Sequence, residues 1–218
     1  MGGTLSAAPS HIRPYAPADL DALYEICLRT GAAGDDASDL VEDPQLLGHL
    51  YAAPYGVLEP EHAFVLDDGR GRAAGYVLGA LDTVAFEARC EAEWWPPLRA
   101  RYPQREGGDG LDDLLIGMLH HRRRRGDEVL GRFPSHLHID LLPEVQGHGW
   151  GRRLMATLFD ALAADGSPGV HWGVSAQNHR ALGFYRHLGF DELTADGVTH
   201  TFGARLEGSS ASPRRLQR

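Results

Sequence analysis

Residues 146–151 read Gln-Gly-His-Gly-Trp-Gly and separate two different patterns of hydrophobic residues. Before them, Ser135–Leu142 alternates polar and apolar side chains, which predicts a β-strand. After them, apolar residues recur every three or four positions and predict a helix over about 150–165. A glycine-rich turn that opens a helix exposes backbone N–H groups at the positive end of the helix dipole. The stretch therefore predicts an anion site suited to a pyrophosphate.

The spacing of the glycines narrows the choice of ligand only in part. A Walker loop needs Gly-Lys followed by Ser or Thr, and the sequence has none here. Gly147, Gly149 and Gly151 also differ from the Gly-x-Gly-x-x-Gly of a dinucleotide-binding turn. Taken alone, the turn predicts a phosphate site without identifying the ligand.

A second pattern follows about thirty residues later. Residues 178–190 read Asn-x-x-Ala-x-x-Phe-Tyr-x-x-x-Gly-Phe. Because positions three and four apart are neighbours on a helix, Asn178, Ala181 and Tyr185 share one face. That face can present an amide, a small side chain and a phenol to one groove, and the small residue lets a ligand approach closely.

Together the two patterns resemble the GNAT superfamily of N-acetyltransferases, and the resemblance covers residues 136–206. Segments 138–143 and 173–178 further resemble the bacterial acetyltransferases that are similar to the C-terminal acetyltransferase-like domain of O-GlcNAcase. The resemblance implies an acyltransferase that uses acetyl-CoA as co-substrate, needs no metal, and moves the acetyl group to a primary amine by direct attack.

The order of predicted elements fits such an enzyme. Strands and helices alternate in a way that predicts an α/β (α+β) domain with a mixed sheet and helices on its faces. The resemblance adds that the sheet is mostly antiparallel, has about six or seven strands and is splayed at the strand 136–142. The predicted strands lie at about 11–15, 62–66, 73–81, 135–142, 169–175, 190–193 and 200–206, and the predicted helices at about 18–30, 44–52, 83–95, 110–122, 150–165 and 178–188.

The predicted domain organisation is simple. One acetyltransferase domain spans residues 11–206 and carries a helical insertion at about 83–134 between two strands. Residues 1–10 are expected to be a flexible N-terminus. Residues 207–218 are rich in Ser and Arg and are expected to form a disordered tail.

The resemblance also assigns residues to the cofactor. Main-chain groups of Leu141 and Leu142, at a bulge in the strand, are expected to bond the pantetheine amides like an added strand. The Leu142 amide could also stabilise the oxyanion of the tetrahedral intermediate. The expected cofactor contacts are Leu141, Leu142, Gln146, Gly147, His148, Gly149, Trp150, Gly151, Arg152, Asn178, Ala181, Phe184 and Tyr185.

Two residues are predicted to catalyse the transfer. Tyr185 matches the general acid that protonates the leaving thiolate. The attacking amine must also lose a proton, and Asp140 is the predicted base or substrate anchor. Alternation places His138 on the same strand face as a second candidate, although both side chains could instead satisfy neighbouring groups. Glu87 and Glu91 are weaker candidates, because carboxylates on helices are usually solvated.

Composition restricts the partners. The formal net charge of −9 argues against general nucleic-acid binding, which requires a basic face. It favours a cationic acceptor, either a small-molecule amine or a lysine of a protein. The run Arg122–Arg125 is a local exception, predicted to be a solvated helix end or a contact for a phosphate or acidic partner.

The cysteines and the termini bear on location. Cys27 and Cys90 lie in apolar helical patterns and are predicted to be reduced, buried thiols. No apolar run approaches the roughly 18–20 residues of a membrane helix. Residues 1–10 lack the basic start and apolar run of a secretory signal, so a cytoplasmic protein is expected. A homodimer is compatible with the resemblance.

One alternative to an active enzyme stays open at this stage. The chain could be an acetyl-CoA-binding pseudo-enzyme or regulatory module without efficient turnover. The resemblance to the O-GlcNAcase domain motivates this alternative, because the animal domain is thought not to have the cofactor-binding features. Gly149, Gly151, Asn178 and Tyr185 are all present here, which favours cofactor binding.

Overall fold

A seven-stranded sheet forms the centre of the computed structural model, which describes residues 8–104, 107–121 and 126–206. The strand order is β1-β2-β3-β4-β5-β7-β6, and within these residues every neighbouring pair is antiparallel except β4 and β5. The predicted mixed, mostly antiparallel sheet is confirmed. The strands are β1 (His11–Pro14), β2 (Ala63–Asp67), β3 (Ala73–Ala80), β4 (Ser135–Leu141), β5 (Gly169–Ser175), β6 (Asp191–Ala195) and β7 (Thr199–Arg205).

Helices cover both faces of this sheet. The periodic segments give α1, α6, α8 and α9 within a few residues of the predicted bounds. The helices α3, α5 and α7 were not predicted. α5 begins at Trp95, where the following prolines predict the end of a helix but are tolerated in the first turn of a new one. α7 buries none of its residues and so shows no apolar face, and α3 follows α2 after a single residue. The helices are α1 (Leu20–Thr30), α2 (Leu46–Tyr51), α3 (Ala53–Leu58), α4 (Thr83–Arg89), α5 (Trp95–Arg101), α6 (Leu111–His120), α7 (Asp127–Arg132), α8 (Trp150–Ala164) and α9 (His179–His187).

The two faces of the sheet carry two separate cores. Successive side chains of a strand point to opposite faces, so Tyr76 and Leu78 of β3 belong to one core and Val77 to the other. The first core lies under α1 to α6, and the second lies under α8 and α9. Trp95 and Leu119 are buried in the first core, so the segment predicted as an insertion is packed into it.

β4 and β5 separate soon after they begin. They pair only at Ser135↔Val170 and His136↔His171, although both strands continue for several residues. β4 stays paired with β3 in an unshifted register as far as Gly75↔Leu141. The predicted splay is therefore confirmed. The expected bulge is wrong, because the opening arises between parallel neighbours and not from an extra residue in β4.

Some predictions concern other parts of the chain. Most of the predicted flexible N-terminus, the tail 207–218 and Arg122–Arg125 lie outside the described residues. Among the residues that are described, no helix combines the length and the apolar character needed to cross a bilayer.

Candidate active site

The glycine-rich turn leads from the end of β4 into α8. Gly147 and Gly149 both have φ of 78°, a left-handed conformation that favours glycine, and Gly149 is the N-cap of α8. A Cβ at either position would meet no heavy atom within 4 Å, so this backbone faces open space. The turn therefore presents the first N–H groups of a 15-residue helix to the outside, as an anion site requires.

Gln146 ties the turn to its surroundings. Its Nε2 donates to the carbonyl oxygen of Leu141 at 2.7 Å, and its Oε1 accepts from Arg180 Nη1 at 2.7 Å. Arg180 Nη2 also donates to the carbonyl oxygen of Gly34 at 3.1 Å. Sequence reasoning missed Arg180. Its signal is a cation in the first turn of α9, where the helix dipole favours an anion instead.

The other predicted turn residues lie around this opening. His148 is exposed, with Nδ1 at 2.9 Å from the Gln146 carbonyl oxygen. The half-buried Trp150 ring lies under the guanidinium of Arg153, whose Cζ is 4.6 Å from the ring centroid. Arg152 is half-buried beside the start of α8. Two cations thus flank the predicted phosphate site.

Three elements converge beside the turn. A Cβ on Gly151 of α8 would lie 3.4 Å from Phe184 Cζ of α9 and 3.8 Å from Leu141 Cδ1 of β4. Ala181, one turn before Phe184, is half-buried. Asn178 caps α9, since its Oδ1 accepts from the Ala181 amide at 2.9 Å. Gly151, the Phe184 ring and the end of β4 therefore lie next to one another.

Tyr185 lies at the inner end of this groove. Its side chain is 6% exposed and packs against Trp172 and Phe202, with ring centroids 5.3 Å and 5.4 Å away. Burial and the nearby charge of Asp140 raise the pKa of Tyr185 above its ordinary value. The phenol therefore keeps its proton at neutral pH, and Asp140 lies within electrostatic reach of it.

Asp140 and His138 lie on the opposite side of the cleft. Asp140 Oδ2 accepts from Tyr76 Oη at 2.6 Å and lies 3.0 Å from His138 Nε2. The side chains of His138 and Asp140 are 29% and 20% exposed, although the His138 Nε2 atom itself is buried. The structure brings the two predicted base candidates together, as alternation requires. Glu91 points elsewhere and pairs with Arg99 at 2.7 Å.

Tyr76 and Cys27 complete this cluster, and sequence reasoning missed the part that both play. Tyr76 of β3 is opposite Asp140 in the β3–β4 register, and Cys27 of α1 packs on the same face. Burial and the charge of Asp140 raise the pKa of Tyr76. Burial, followed by the charge of Asp140, also raises the pKa of Cys27. Both cysteines are buried and form no disulfide, as predicted.

The backbone amides at the end of β4 point alternately toward β3 and toward the opening between β4 and β5. The Leu142 amide donates to the Ala74 carbonyl oxygen at 2.9 Å, and the Leu142 side chain is fully buried. Leu142 is therefore engaged within the sheet, which counts against its predicted part as an oxyanion donor. In an antiparallel ladder the N–H groups of successive residues point to opposite sides of the strand. The amide of Leu141 therefore points away from β3, into the opening between β4 and β5.

A potential metal site occupies the same cluster. Cys27, His138 and Asp140 each offer one ligand atom, and these atoms lie within 4.8 Å of one another. Thiolate, imidazole and carboxylate are the ligands that zinc prefers. The sequence predicts no metal ligands, and this group could not be seen there because its members come from a helix and a strand far apart in the sequence.

Comparisons with known proteins agree on one family. The family model for acetyltransferases of the GNAT family matches residues 20–190. Rat O-GlcNAcase is 30% identical over 190 residues, which cover 84% of this chain and 20% of that protein. A mycothiol acetyltransferase of Brachybacterium faecium is 47% identical over 113 residues, which cover 52% of this chain and 32% of that protein. The chain thus spans about a fifth of the first relative's length and about a third of the second's.

Solved structures are similar in fold. The crystal structure of SsHAT matches with a TM-score of 0.86 and 42% identity, covering 91% of this chain and 99% of that one. A GNAT superfamily phosphinothricin acetyltransferase from Sinorhizobium meliloti, in complex with AcCoA, matches with a TM-score of 0.54 and 18% identity, covering 94% of this chain and 92% of that one. At such low identity the second match shows the fold alone.

Proposed function

We propose that this chain, which belongs to the acetyltransferase (GNAT) family, moves the acetyl group of acetyl-CoA to a primary amine. One observation carries the proposal. β4 and β5 pair only at Ser135↔Val170 and His136↔His171, so the sheet opens on the side where β4 leads into the glycine turn and α8. In the proposal, the cofactor lies in this cleft, with its reacting end between Asp140 and Tyr185. A cofactor with a pyrophosphate and a long amide-bearing arm fits such a path.

The cofactor is held mainly by main-chain groups. The amides of the turn and the start of α8 bind the pyrophosphate, and Arg152 supplies charge. The Leu141 amide, which faces the opening, bonds a pantetheine amide as an added strand would. Gly151, Ala181 and Phe184 line the arm. The S. meliloti acetyltransferase of similar fold is a complex with AcCoA, which supports acetyl-CoA as the cofactor of this proposal.

The chemistry follows from the two walls of the cleft. The neutral amine attacks the thioester carbon, and its proton passes to Asp140, directly or through water. A C–N bond forms and the C–S bond breaks as Tyr185 donates its proton to the leaving thiolate. The oxyanion receives a hydrogen bond from Leu141 or its neighbours on β4, since the Leu142 amide is engaged. Tyr76 keeps the Asp140 carboxylate in place.

The acceptor is a cationic amine, either a small molecule or a lysine of a protein. Three observations support a cation. The chain carries a net charge of −9. The exposed side chains of Asp35, Asp36 and Asp39 form part of the loop between α1 and α2. Arg180 connects this loop to Gln146 of the cofactor turn, so the acidic loop borders the cleft.

A panel of amines tests the proposal. Polyamines, amino sugars and lysine peptides are incubated with acetyl-CoA and enzyme, and acetylated products are detected by mass spectrometry. We expect at least one cationic amine to be acetylated well above the enzyme-free rate. Tight binding of acetyl-CoA with no product from any amine would favour the pseudo-enzyme. Absence of binding would reject both.

A further inference from the structure

Cys27, Tyr76, His138 and Asp140 form a polar cluster on the side of the cleft that α1, β3 and β4 build, which we call the α1–β3–β4 wall. This cluster offers more than a base. Cys27 Sγ, His138 and Asp140 place one thiol, one imidazole and one carboxylate atom within 4.8 Å of one another. Acetyl transfer as derived above uses the carboxylate alone, and neither the thiol nor the imidazole has a part in it. Cys27 is poorly suited to act as a nucleophile, because burial raises the pKa of its thiol.

The spacing of the donor atoms suits a tetrahedral ion. Zinc bonds of about 2.0–2.3 Å imply ligand atoms roughly 3.3–3.8 Å apart in a tetrahedron. His138 Nε2 and Asp140 Oδ2 are 3.0 Å apart, and the third atom lies within 4.8 Å of both. The three atoms therefore lie within about 1 Å of the spacing that a tetrahedral ion requires.

His138 supplies the second, independent observation. Its Nε2 is buried and has no hydrogen-bond partner in the described part of the chain, although it lies 3.0 Å from Asp140 Oδ2. A buried ring nitrogen without a partner is costly, so it points to a ligand that would satisfy it. The ring is fixed by Tyr51 and Tyr76, each with its ring centroid 5.7 Å away.

The surroundings resemble those of a metal site in a further respect. Carboxylates that bind metals are usually oriented by hydrogen bonds from neighbouring groups. Tyr76 Oη donates such a bond to Asp140 Oδ2 at 2.6 Å. The Asp140 and His138 side chains are partly exposed to the cleft, whereas Cys27 is buried behind them. An ion would thus be held from within and stay accessible from the cleft.

We propose that Cys27, His138 and Asp140 bind Zn²⁺, with the fourth coordination position open to the cleft, and that the bound ion blocks acetyl transfer. Binding replaces the thiol proton of Cys27 by a zinc–sulfur bond and releases that proton to solvent. Because the ion occupies the Asp140 carboxylate, the amine loses its base or anchor. The binding half of the proposal, that the three residues hold Zn²⁺, does not depend on the proposed function. The inhibition half, that the ion blocks acetyl transfer, rests on the proposed function.

Cobalt substitution tests the binding half. Protein freed of metal with a chelator is titrated with Co²⁺, whose bond to a thiolate gives a charge-transfer band in the near ultraviolet. We expect one equivalent to produce that band, and Zn²⁺ to displace it. Cys27→Ser should abolish the band and weaken Zn²⁺ binding by more than about 100-fold, since outer partners alone cost roughly 10–100-fold. Cys90→Ser is the matched control, because Cys90 is also a buried thiol outside any disulfide but does not belong to the cluster.

Inhibition is measured separately, by mass detection of the acetylated amine, because the CoA thiol itself binds zinc. We expect saturating Zn²⁺ to stop turnover, a chelator to restore it, and Cys27→Ser to keep basal activity while losing the sensitivity. Wild-type protein without a thiolate band, or Cys27→Ser with unchanged binding, would overturn the proposal. Circular dichroism checks folding, and Cys27→Ala replaces Cys27→Ser if the latter does not fold. The cobalt band decides binding even if no amine is acetylated.

Discussion

The two walls of the cleft each present one buried tyrosine, and the protein uses the two differently. Tyr76 Oη, on the α1–β3–β4 wall, donates to Asp140 at 2.6 Å. Tyr185 Oη, on the α8–α9 wall, forms no hydrogen bond with any described residue. The tyrosine of the α8–α9 wall thus keeps its hydroxyl available for a ligand, whereas the tyrosine of the α1–β3–β4 wall already donates to a carboxylate. The comparison teaches that Tyr185 is placed to donate to a bound ligand and that Tyr76 is placed to orient Asp140.

The largest expected effect comes from the acceptor side. Asp140→Asn removes the proposed base while keeping the shape and an acceptor for Tyr76. We expect the rate of amine acetylation to fall by about 10²–10⁴-fold, with acetyl-CoA affinity retained. Glu144→Gln is the matched control, since this carboxylate follows β4 but is 48% exposed and lies 3.7 Å from Arg29. Equal rates in Asp140→Asn and the control would contradict the assignment of the base.

The two tyrosines provide the next test. Tyr185→Phe should lower kcat by about 10²-fold, because the thiolate then leaves without a proton. Tyr76→Phe should cause a smaller loss, because Asp140 loses only a positioning partner. With an acetyl thioester whose thiol has a lower pKa, the loss in Tyr185→Phe should shrink, since a weaker base needs no acid. Identical losses with both thioesters would refute the acid role.

Glycine substitutions compare the turn with a neutral position. Gly149→Val and Gly166→Val both place a side chain at positive φ, 78° and 87°, with no atom within 4 Å of the new Cβ. Each should cost about 1–2 kcal/mol in the free energy of unfolding. Only Gly149→Val should weaken acetyl-CoA binding, by tenfold or more in Kd, or about 1.4 kcal/mol. Calorimetry and thermal melts measure both, and equal Kd values would remove the turn from the cofactor site.

The smallest effect appears only at alkaline pH. Burial raises the pKa values of Tyr76 and Tyr185 above the ordinary value of about 10. Below a pH of about 10 both tyrosines are protonated in the folded and the unfolded chain, and their contribution to stability is fully present. As the pH rises from there toward the folded-state pKa, only the unfolded chain releases these protons. The free energy of unfolding therefore falls by about 1.4 kcal/mol per pH unit for each tyrosine. Tyr185→Phe should remove one tyrosine's share of this slope in denaturant titrations. An unchanged slope would mean that Tyr185 ionises freely in the folded protein.

The two walls also differ in what the sequence reveals. The α8–α9 wall is built from contiguous motifs, so residues 146–151 and 178–190 predict its turn, helix start and groove directly. The α1–β3–β4 wall assembles Cys27, Tyr76 and Asp140 from three elements, and only the tertiary register brings them together. Alternation placed His138 beside Asp140, because that pair lies on one strand.

Two details could not be predicted because they depend on what neighbouring groups already bind. The bond from the Leu142 amide to Ala74 follows from β4 staying in register with β3, which the Leu-Leu pair in the sequence does not reveal. The contacts of Arg180 with Gln146 and Gly34 depend on where the α1–α2 loop comes to lie. In both cases the sequence shows the type of residue but not the group to which it forms a hydrogen bond.

Calorimetric titration with acetyl-CoA tests the central claim most directly, because the account depends on the turn and cleft binding this cofactor. ATP, which also carries phosphates but lacks the pantetheine arm, is titrated in parallel. The account predicts one site per chain with a Kd below millimolar for acetyl-CoA and much weaker binding of ATP. No heat from acetyl-CoA, or equal affinity for ATP, would contradict it.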